Sequence, residues 1–313
     1  MITLKPYSKK SKSIWNEFNQ KAKNGLFMFD RDYMDYHAHR FTDHSLLFYE
    51  EDKLLALLPI NAQDNILYSH QGLTFGGFII GDTMRQSKML ECFKALREYM
   101  HTNGFAKLFY KAIPYIYHQN PAQEDIYALF RNEARLYRVD CSTTIDLRKN
   151  FKMSELRKRG IKKAKHEGIE IEQSSDFSSF IALVNEVLQN KHNATAVHNA
   201  QELTLLHSRF IDNIKLFIAK KNQKILAATL LFIYPNLIHT QYLAANDEGR
   251  KIGALDLLLK TLIDTYAPSK AYFDFGISTE SNGAILNSGL ISQKEGFGGR
   301  TITHSFYEVT GGG

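Results

Sequence analysis

Short apolar runs, typical of buried strands, alternate along this chain with stretches in which apolar residues recur every three or four positions, as in amphipathic helices. Two apolar runs flank Glu50-Glu51-Asp52 and predict a β-hairpin over 46–59. The rest of the first half predicts a second apolar stretch at 66–80, strands at 107–113 and 142–147, and helices over 84–102 and 121–135.

The second half repeats this order of elements. Its pattern predicts a hairpin of 214–219 with 225–234, strands at 237–244, 271–276 and 301–309, and helices over 177–189, 201–210, 251–266 and 284–288. The repetition predicts a duplicated α/β (α+β) unit, with mixed sheets flanked by helices and a cleft between the halves. We expect domains over 1–150 and 151–310, followed by a tail at 311–313.

The positive charge of the chain is concentrated in one segment. The 313 residues carry a net charge of +6, whereas residues 148–165 hold nine Lys or Arg and one acid, a local charge of +8 that leaves −2 for the rest. The basicity is therefore local, and the net charge does not indicate a general preference for nucleic acid or membranes. The segment is either a solvated helix or an anion-binding one, with Arg157, Lys158, Lys162 and Lys165 on one helical face.

Composition otherwise indicates an ordinary globular protein, with 44% hydrophobic residues and length enough for two domains. Cys92 and Cys141 form neither a disulfide framework nor a metal-ligand spacing, so we expect both to be reduced. The sequence shows no signal-peptide pattern and no run of 18 apolar residues. We expect a cytoplasmic protein with no transmembrane segment.

The stretch 272–300 is rich in glycine and polar residues, although it begins with an apolar strand. Asp274, Glu280, Asn287 and Lys294 lie among its six glycines. Glycines let a ligand approach the backbone closely, and side chains at strand ends emerge into clefts. The stretch is therefore predicted to build half of an active site. The alternative is a polar surface loop whose glycines serve only turns.

Three stretches resemble those of known acyltransferases: MSELRKRGIKKAKHEGIEIE at 153–172, LIHTQYLAANDEGRKIGALDLLL at 237–259, and FDFGIS followed by NSGLISQKEGFGG. With the element order, they resemble the GNAT (acyl-CoA N-acyltransferase) fold in the duplicated form of Fem-type (FemABX-like) peptidoglycan aminoacyltransferases, of the kind found among bacterial surface-polysaccharide genes. The resemblance covers most of 150–309, and the first half matches by element order alone.

The resemblance implies acyl transfer to an amine by direct attack, with no covalent enzyme intermediate. It also implies that Lys294 contacts substrate and that the acyl thioester pairs with the strand at 237–244. The GNAT phosphate loop reads Arg/Gln-x-x-Gly-x-Gly/Ala, whereas Arg250-Lys-Ile-Gly253-Ala254-Leu255 places the small residue one position early. This departure weakens the case for acetyl-CoA binding at Arg250–Leu255. Fem-type enzymes, in contrast, take their acyl group from aminoacyl-tRNA.

Acyl transfer to an amine needs a base for the amine and a donor for the developing oxyanion. His239 or Asp274 is the candidate base, and Tyr242 or a backbone amide is the candidate donor. On a regular strand His239 and Gln241 share a face, and Tyr242 points to the other. A satisfied core histidine is the alternative for His239.

The segment 29–45 is dense in acidic, aromatic and histidine residues. The spacing of His37 and His39 does not bring them together on a helix, so no metal site is predicted. Tyr33, Tyr36 and Arg40 fall on one helical face and predict a polar, aromatic wall for a sugar or peptide. The full set of candidates for substrate binding is Lys294, Gln241, Ser278, Glu280, Asn287, Tyr33, Tyr36, Arg40, His70 and Lys111, and for cofactor binding Arg250, Gly253, Lys158 and Lys162.

These observations predict an N-acyltransferase that moves an acyl group from acyl-CoA to an amine, of an amino sugar in surface-polysaccharide biosynthesis. The alternatives are a Fem-type aminoacyltransferase that uses aminoacyl-tRNA and a cell-wall peptide, and a non-catalytic GNAT-fold binding protein. We expect no tightly bound cofactor, acyl-CoA or aminoacyl-tRNA as co-substrate, and no DNA partner. A lipid-linked acceptor would bring the protein to a membrane surface.

Overall fold

The computed structural model describes residues 1–192 and 194–311, so residues 312 and 313 of the predicted tail lie outside the described residues. The α-helices are α1 Lys12–Lys21, α2 Arg31–Met34, α3 Gln86–Thr102, α4 Glu124–Arg131, α5 Glu155–His166, α6 Phe177–His192, α7 Ala200–Arg209, α8 Asp247–Ile252, α9 Ala254–Tyr266 and α10 Ser288–Glu295. Short 3-10 helices cover Lys9–Ser11, Phe27–Phe29, Asp35–Arg40 and Tyr115–Tyr117.

The strands follow the same chain order. They are β1 Ile2–Pro6, β2 Thr42–Asp43, β3 Leu46–Glu50, β4 Lys53–Leu58, β5 Asn61–Gln63, β6 Ile66–Tyr68, β7 Ile79–Ile80, β8 Lys107–Lys111, β9 Arg135–Asp146, β10 Glu170–Ser174, β11 Ile214–Lys221, β12 Lys224–Ile233, β13 Leu237–Ala245, β14 Tyr272–Ile277, β15 Thr279–Glu280, β16 Ile285–Leu286 and β17 Arg300–Thr310.

The chain forms two compact units. Unit 1 comprises Met1–Asp140, Ser281–Ala284 and the described residues from Thr303 onward, and unit 2 comprises Cys141–Glu280 and Ile285–Ile302. The division after Asp140 precedes the one expected at 150, because β9 is a single strand that passes from unit 1 into unit 2. β17 passes back into unit 1 in the same way.

Unit 1 is built around α3 and two groups of strands. One group has the order β1-β3-β4-β7, and the other runs from the unit 1 part of β17 through β8, β6 and β5 to β2. Along α3, Met89, Phe93, Leu96 and Met100 are buried at the helical spacing that the sequence predicts. The β3–β4 hairpin over 46–58 confirms the one predicted around Glu50-Glu51-Asp52.

In unit 2, strands pair side by side in the order β10-β11-β12-β13-β14-β9. The pairs are antiparallel except for β13 and β14, which are parallel. Parallel neighbours need a crossover connection, and α8 and α9 provide it. Leu258, Leu262 and Ile263 of α9 are buried in a core that α5 also covers, through Ile161 and Ala164.

The helix predicted over 251–266 is in fact two helices that meet at Gly253. Gly253 has φ +78°, in the left-handed region, where it ends α8 and begins α9. A Cβ at this position would lie 2.4 Å from the carbonyl oxygen of Gly160 on α5. Apolar periodicity continues on both sides of the break, so the sequence pattern alone does not reveal it.

The helix predicted over 284–288 is wrong, because a short hairpin and a later helix occupy this region. Ile285–Leu286 pairs with Thr279–Glu280 in antiparallel fashion. The helix α10 begins at Ser288, where the side chain of Asn287 accepts a hydrogen bond from Leu290 N and caps the helix. The cap therefore sets the start four residues later than the apolar Ala284-Ile285-Leu286 run indicates.

Replacing Gly253 by Ala tests whether the α8–α9 junction requires glycine for packing as well as for backbone conformation. Gly168 is the matched control, because it also has a positive φ, +69°, yet nothing lies within 4 Å of an added Cβ. Gly168→Ala should lower the free energy of unfolding by about 1 kcal/mol through conformational strain alone. Gly253→Ala should cost more, since it adds a backbone clash; equal losses in urea denaturation would contradict the packing role.

Candidate active site

Two buried side chains, His239 and Asp274, meet where β13 and β14 pair. The two residues are register partners on the parallel strands, and His239 Nδ1 lies 2.8 Å from Asp274 Oδ2. The exposed fraction is 7% for His239 and 0% for Asp274. The sequence named both residues as candidate bases without predicting this contact, because 35 residues separate them along the chain.

The carboxylate of Asp274 is surrounded by hydrogen-bond donors. The hydroxyls of Ser142 and Thr144 on β9 each donate to Oδ1 at 2.8 Å, and the backbone N–H of Gly276 reaches the same oxygen at 3.2 Å. An ionised carboxylate only accepts hydrogen bonds, so this environment fits the charged form. His239 then donates from Nδ1 to Oδ2, and this hydrogen bond fixes the orientation of the ring.

Sequence reasoning missed Ser142 and Thr144. The sequence did contain a signal for them, because Ser142-Thr143-Thr144 are three consecutive hydroxyl residues in the strand predicted at 142–147. Alternation along a strand places the first and third of these on one face, and both are turned toward Asp274. Without knowing that β9 lies beside β14, the sequence offered no partner for them.

A β-bulge at Gln241 changes which way the predicted β13 residues point. Leu230 pairs with Tyr242 while Leu231 pairs with Thr240, so Gln241 is the extra residue. The prediction of regular alternation from His239 through Tyr242 is therefore wrong. The Tyr242 hydroxyl lies 2.8 Å from His198 Nδ1, and its ring contacts Phe180 of α6, so the structure does not bring Tyr242 into the His239–Asp274 contact.

Lys294, which the sequence places among glycines, is a buried lysine on the last turn of α10. Its exposed fraction is 4%, and Nζ donates to the carbonyl oxygens of Gly276 at 2.9 Å and Ile277 at 2.6 Å. Burial lowers the pKa of Lys294 to about 8, and the nearby Asp274 carboxylate opposes this shift. Lys294 thus holds the end of β14, two residues beyond Asp274.

Lys294 also lines a cavity of about 380 Å³ between β13, β14 and the helices. Leu243 and Ala245 contribute from β13 and Phe275 from β14, beyond the point where the parallel register ends. Arg250 and Gly253 line the same cavity. The structure therefore brings together Lys294 and the two residues predicted for cofactor binding at the α8–α9 corner.

The Arg250 side chain is engaged within its own turn. Nη1 donates to the carbonyl oxygen of Ala245 at 2.5 Å, and Nη2 forms an ion pair with Asp247. The backbone of Gly160 on α5 packs directly against Gly253. The corner is consequently held by contacts within unit 2, including this close approach of α5.

Several polar atoms around this site are buried without a hydrogen-bond partner among the described residues. They are the hydroxyls of Thr143, Thr240 and Ser278 and the side-chain oxygen of Gln241. All four belong to β9, β13 or the residue that follows β14. Buried polar groups in native proteins are normally satisfied, so such a group of atoms is typical of a site that a polar ligand completes.

The structure gives Glu280 and Asn287, two further candidates for substrate binding, a clear local role. Asn287 Nδ2 donates to Glu280 Oε1 at 2.7 Å, while Asn287 Oδ1 caps α10. These contacts join the β15–β16 hairpin to α10, the helix that carries Lys294. Ser278 is buried beside them, and its backbone N–H donates to Cys141 O at 2.7 Å.

The candidates in unit 1 do not share one helical face. Tyr33 and Tyr36 contact each other edge to face, with ring centroids 5.7 Å apart. The chain kinks at His37, whose φ and ψ are −120° and 23°, so Arg40 does not continue the face and instead lines a polar depression with Asn61. The predicted common face is wrong because α2 ends at Met34.

Burial lowers the pKa values of His70 and Lys111, the two remaining candidates in unit 1. The pKa of His70 falls to about 3, with a smaller contribution from His37. The pKa of Lys111 falls to about 7, with a smaller contribution from Arg138, and its Nζ donates to Leu73 O at 2.5 Å. Both groups are therefore held in low-dielectric surroundings rather than at an exposed polar wall.

The basic helix α5 presents its charges on two sides. Arg157 forms an ion pair with Asp256 of α9, at 2.5 Å, and both residues line the 380 Å³ cavity. Lys158, Lys162 and Lys165 line a separate depression. Consecutive helical residues differ by about 100° in direction, so the predicted common face of Arg157 with the three lysines is wrong.

Within residues 1–192 and 194–311, no group of three or more His, Cys, Asp or Glu side chains has the arrangement of a metal site. Among the same residues, no helix is both long and apolar enough to cross a membrane.

Two buried serines allow a direct test of the donors to Asp274. Ser142 and Ser278 are 0% and 1% exposed, but only Ser142 donates to the carboxylate. Ser142→Ala should lower the free energy of unfolding by about 1–3 kcal/mol, as expected for a hydrogen bond to a charged group. Ser278→Ala should be nearly neutral, since its hydroxyl has no partner among the described residues. Equal effects in chemical denaturation would show that Asp274 does not depend on Ser142.

Comparison with known proteins agrees with this architecture. Residues 152–281 match the family model of the acetyltransferase (GNAT) domain. Comparison with curated proteins gives no match. Among solved structures, FemX is similar with a TM-score of 0.69 at 10% identity, covering 98% of this chain and 97% of that one.

Two further structures are similar over nearly their whole length. L-PGS from Bacillus licheniformis has a TM-score of 0.65 at 15% identity, covering 99% of this chain and 94% of that one. A tandem GNAT protein from the clavulanic acid biosynthesis pathway has a TM-score of 0.54 at 11% identity, covering 100% and 99%. At such low sequence identity, structural similarity shows the fold alone. It confirms the predicted tandem GNAT-like fold class. Residues 152–281 thus match the acetyltransferase (GNAT) domain model, and the chain as a whole has a fold similar to those of FemX and the tandem GNAT protein.

Proposed function

We propose that unit 2 transfers an activated acyl group to an amine by direct attack. The observation that carries this proposal is the convergence on β14 of a buried His239–Asp274 pair and a buried lysine beside a cavity. Such clusters of buried ionisable groups are typical of functional sites. The unsatisfied hydroxyl and amide oxygens on β9 and β13 and just after β14 support a polar ligand near these strands.

In this proposal His239 is the general base. The attacking amine forms a bond to the acyl carbon, and its surplus proton passes to Nε2 of His239 while Nδ1 keeps its hydrogen bond to Asp274. The charge that the imidazole gains is stabilised by the ionised carboxylate, as in other His–carboxylate pairs. The bond between the acyl carbon and the leaving sulfur or oxygen then breaks, and the leaving group takes up the proton held on Nε2 of His239.

Lys294 is proposed to stabilise the oxyanion that forms on the acyl oxygen. Two of its N–H bonds are directed to the carbonyls of Gly276 and Ile277, and an ammonium has three donors. The third donor is thus available for the acyl oxygen of a substrate in the cavity. A charged donor held in a buried position can contribute a rate factor of roughly 10²–10³.

The donor is proposed to be either acyl-CoA or an aminoacyl ester of tRNA, and the geometry of the α8–α9 corner favours the second. Arg250 is engaged by Ala245 O and Asp247, and Gly160 of α5 closes in on Gly253. Little of this turn is left to receive a pyrophosphate in the manner of other GNAT proteins. The acceptor is proposed to be an amino sugar of surface-polysaccharide biosynthesis or a cell-wall peptide, on the resemblance to Fem-type proteins.

A panel of acyl-CoAs and aminoacyl-tRNAs, combined with nucleotide-linked amino sugars and cell-wall peptides, tests the proposal by mass spectrometry of the acceptor. His239→Gln and Lys294→Met should each slow transfer by roughly 10²-fold or more. Glu295→Gln is the control, because Glu295 is exposed on the same helix as Lys294. Transfer that survives both site variants at full rate would overturn the assignment.

The rate of transfer should also fall as the pH rises through about 8. The pKa of Lys294 is lowered to about 8, so its ammonium loses a proton above this pH and with it the charge that stabilises the oxyanion. Lys294→Arg keeps a cation at all these pH values and should abolish this alkaline limb in the remaining activity. An unchanged alkaline limb in Lys294→Arg would exclude Lys294 as its origin.

A further inference from the structure

Five lysines surround a depression formed by α5, α9 and the segment that precedes α5. The depression has a volume of about 630 Å³. Its apolar lining comes from Phe151, Met153 and Ile161. The other described residues that line it are all lysines: Lys152, Lys158, Lys162, Lys165 and Lys260.

This lysine-rimmed depression carries an excess of positive charge. Glu155 pairs with Lys158 at 2.7 Å, and Asp264 pairs with Lys260. Two carboxylates therefore face five ammonium groups, an excess of three. It is also the most basic part of the chain, since residues 148–165 carry +8 and the remainder −2. An anionic surface would orient the molecule with this side toward it.

We propose that the lysine-rimmed depression is a contact surface for an anionic phospholipid bilayer. Lysine side chains can lay their methylene stems along apolar surface while the ammonium reaches outward to a phosphate. The exposed Lys158, Lys162 and Lys165 next to Ile161 have this arrangement. An apolar patch within a cationic rim suits the boundary between headgroups and acyl chains.

The same surface is poorly suited to single-stranded RNA, another polyanion to consider. Single-stranded RNA is usually bound by bases that stack on exposed aromatic rings, together with arginine. Here the aromatic residue in the described lining is Phe151, which is partly buried against the core, and the cations of that lining are lysines. No uncharged hydrogen-bonding side chain is among the described lining residues to read a base edge.

The surface is distinct from the proposed acyl-transfer cavity, although both use α5 and α9. Arg157 and Asp256 line the cavity, whereas Lys158 and Lys260 line the depression. Bilayer contact therefore does not depend on the transfer chemistry. It would keep the enzyme close to a lipid-linked acceptor, if that is the acceptor it uses.

Partitioning of the full chain onto vesicles tests this proposal. The protein should bind mixed phosphatidylglycerol–phosphatidylcholine vesicles, with weaker binding as salt increases. Lys158→Ala/Lys162→Ala should lower the partition coefficient by roughly 30-fold, since each lysine at an anionic surface contributes about fivefold. Lys9→Ala/Lys10→Ala is the matched control: both lysines are exposed in unit 1, the net charge changes equally, and binding should change less than about twofold.

Three results would overturn the proposal. The first is no binding of the unmodified chain to phosphatidylglycerol vesicles. The second is an equal loss in the two double variants, which would mean that net charge rather than this surface is responsible. The third is tRNA binding that the Lys158→Ala/Lys162→Ala variant loses while vesicle binding is unaffected, which would assign the surface to RNA. Thermal melting of each variant separates these results from loss of folding.

Discussion

The buried carboxylate of Asp274 is the constraint on which unit 2 depends. A charge that is fully removed from water is costly unless hydrogen bonds and opposite charges replace the lost hydration. Four donors meet this need: the hydroxyls of Ser142 and Thr144, the N–H of Gly276, and the ring of His239. Because these groups come from three strands, the carboxylate fixes how β9, β13 and β14 lie relative to one another.

The shape of β14 follows from the same arrangement. Gly276, two residues after Asp274, has φ +75°, and an added Cβ would lie 3.2 Å from the ring of His239. The bend at Gly276 turns two carbonyl groups toward Lys294, which is how a lysine comes to be buried. The lowered pKa of Lys294 is thus a consequence of the way the strand ends, and the same strand supplies both Asp274 and the carbonyl contacts of the cation.

The sequence predicted the fold and named several candidate site residues, but not how the candidate site is assembled. Apolar periodicity located α3 and the β3–β4 hairpin because those patterns are local. His239, Asp274 and Lys294 stood out as polar residues at strand ends or among glycines. The hydroxyl partners on β9, the bulge at Gln241 and the break at Gly253 depend on which strands and helices become neighbours, and no local pattern records that.

The most direct test of this account is the protonation pattern of the His239 ring, measured by long-range ¹H–¹⁵N NMR and assigned by the loss of its signals in His239→Gln. The account predicts a proton on Nδ1 that is shifted downfield by its hydrogen bond to Asp274, and that changes when Asp274 is replaced by Asn. A neutral ring with its proton on Nε2 would contradict it, because Asp274 would then be neither the acceptor nor the group that orients the proposed base.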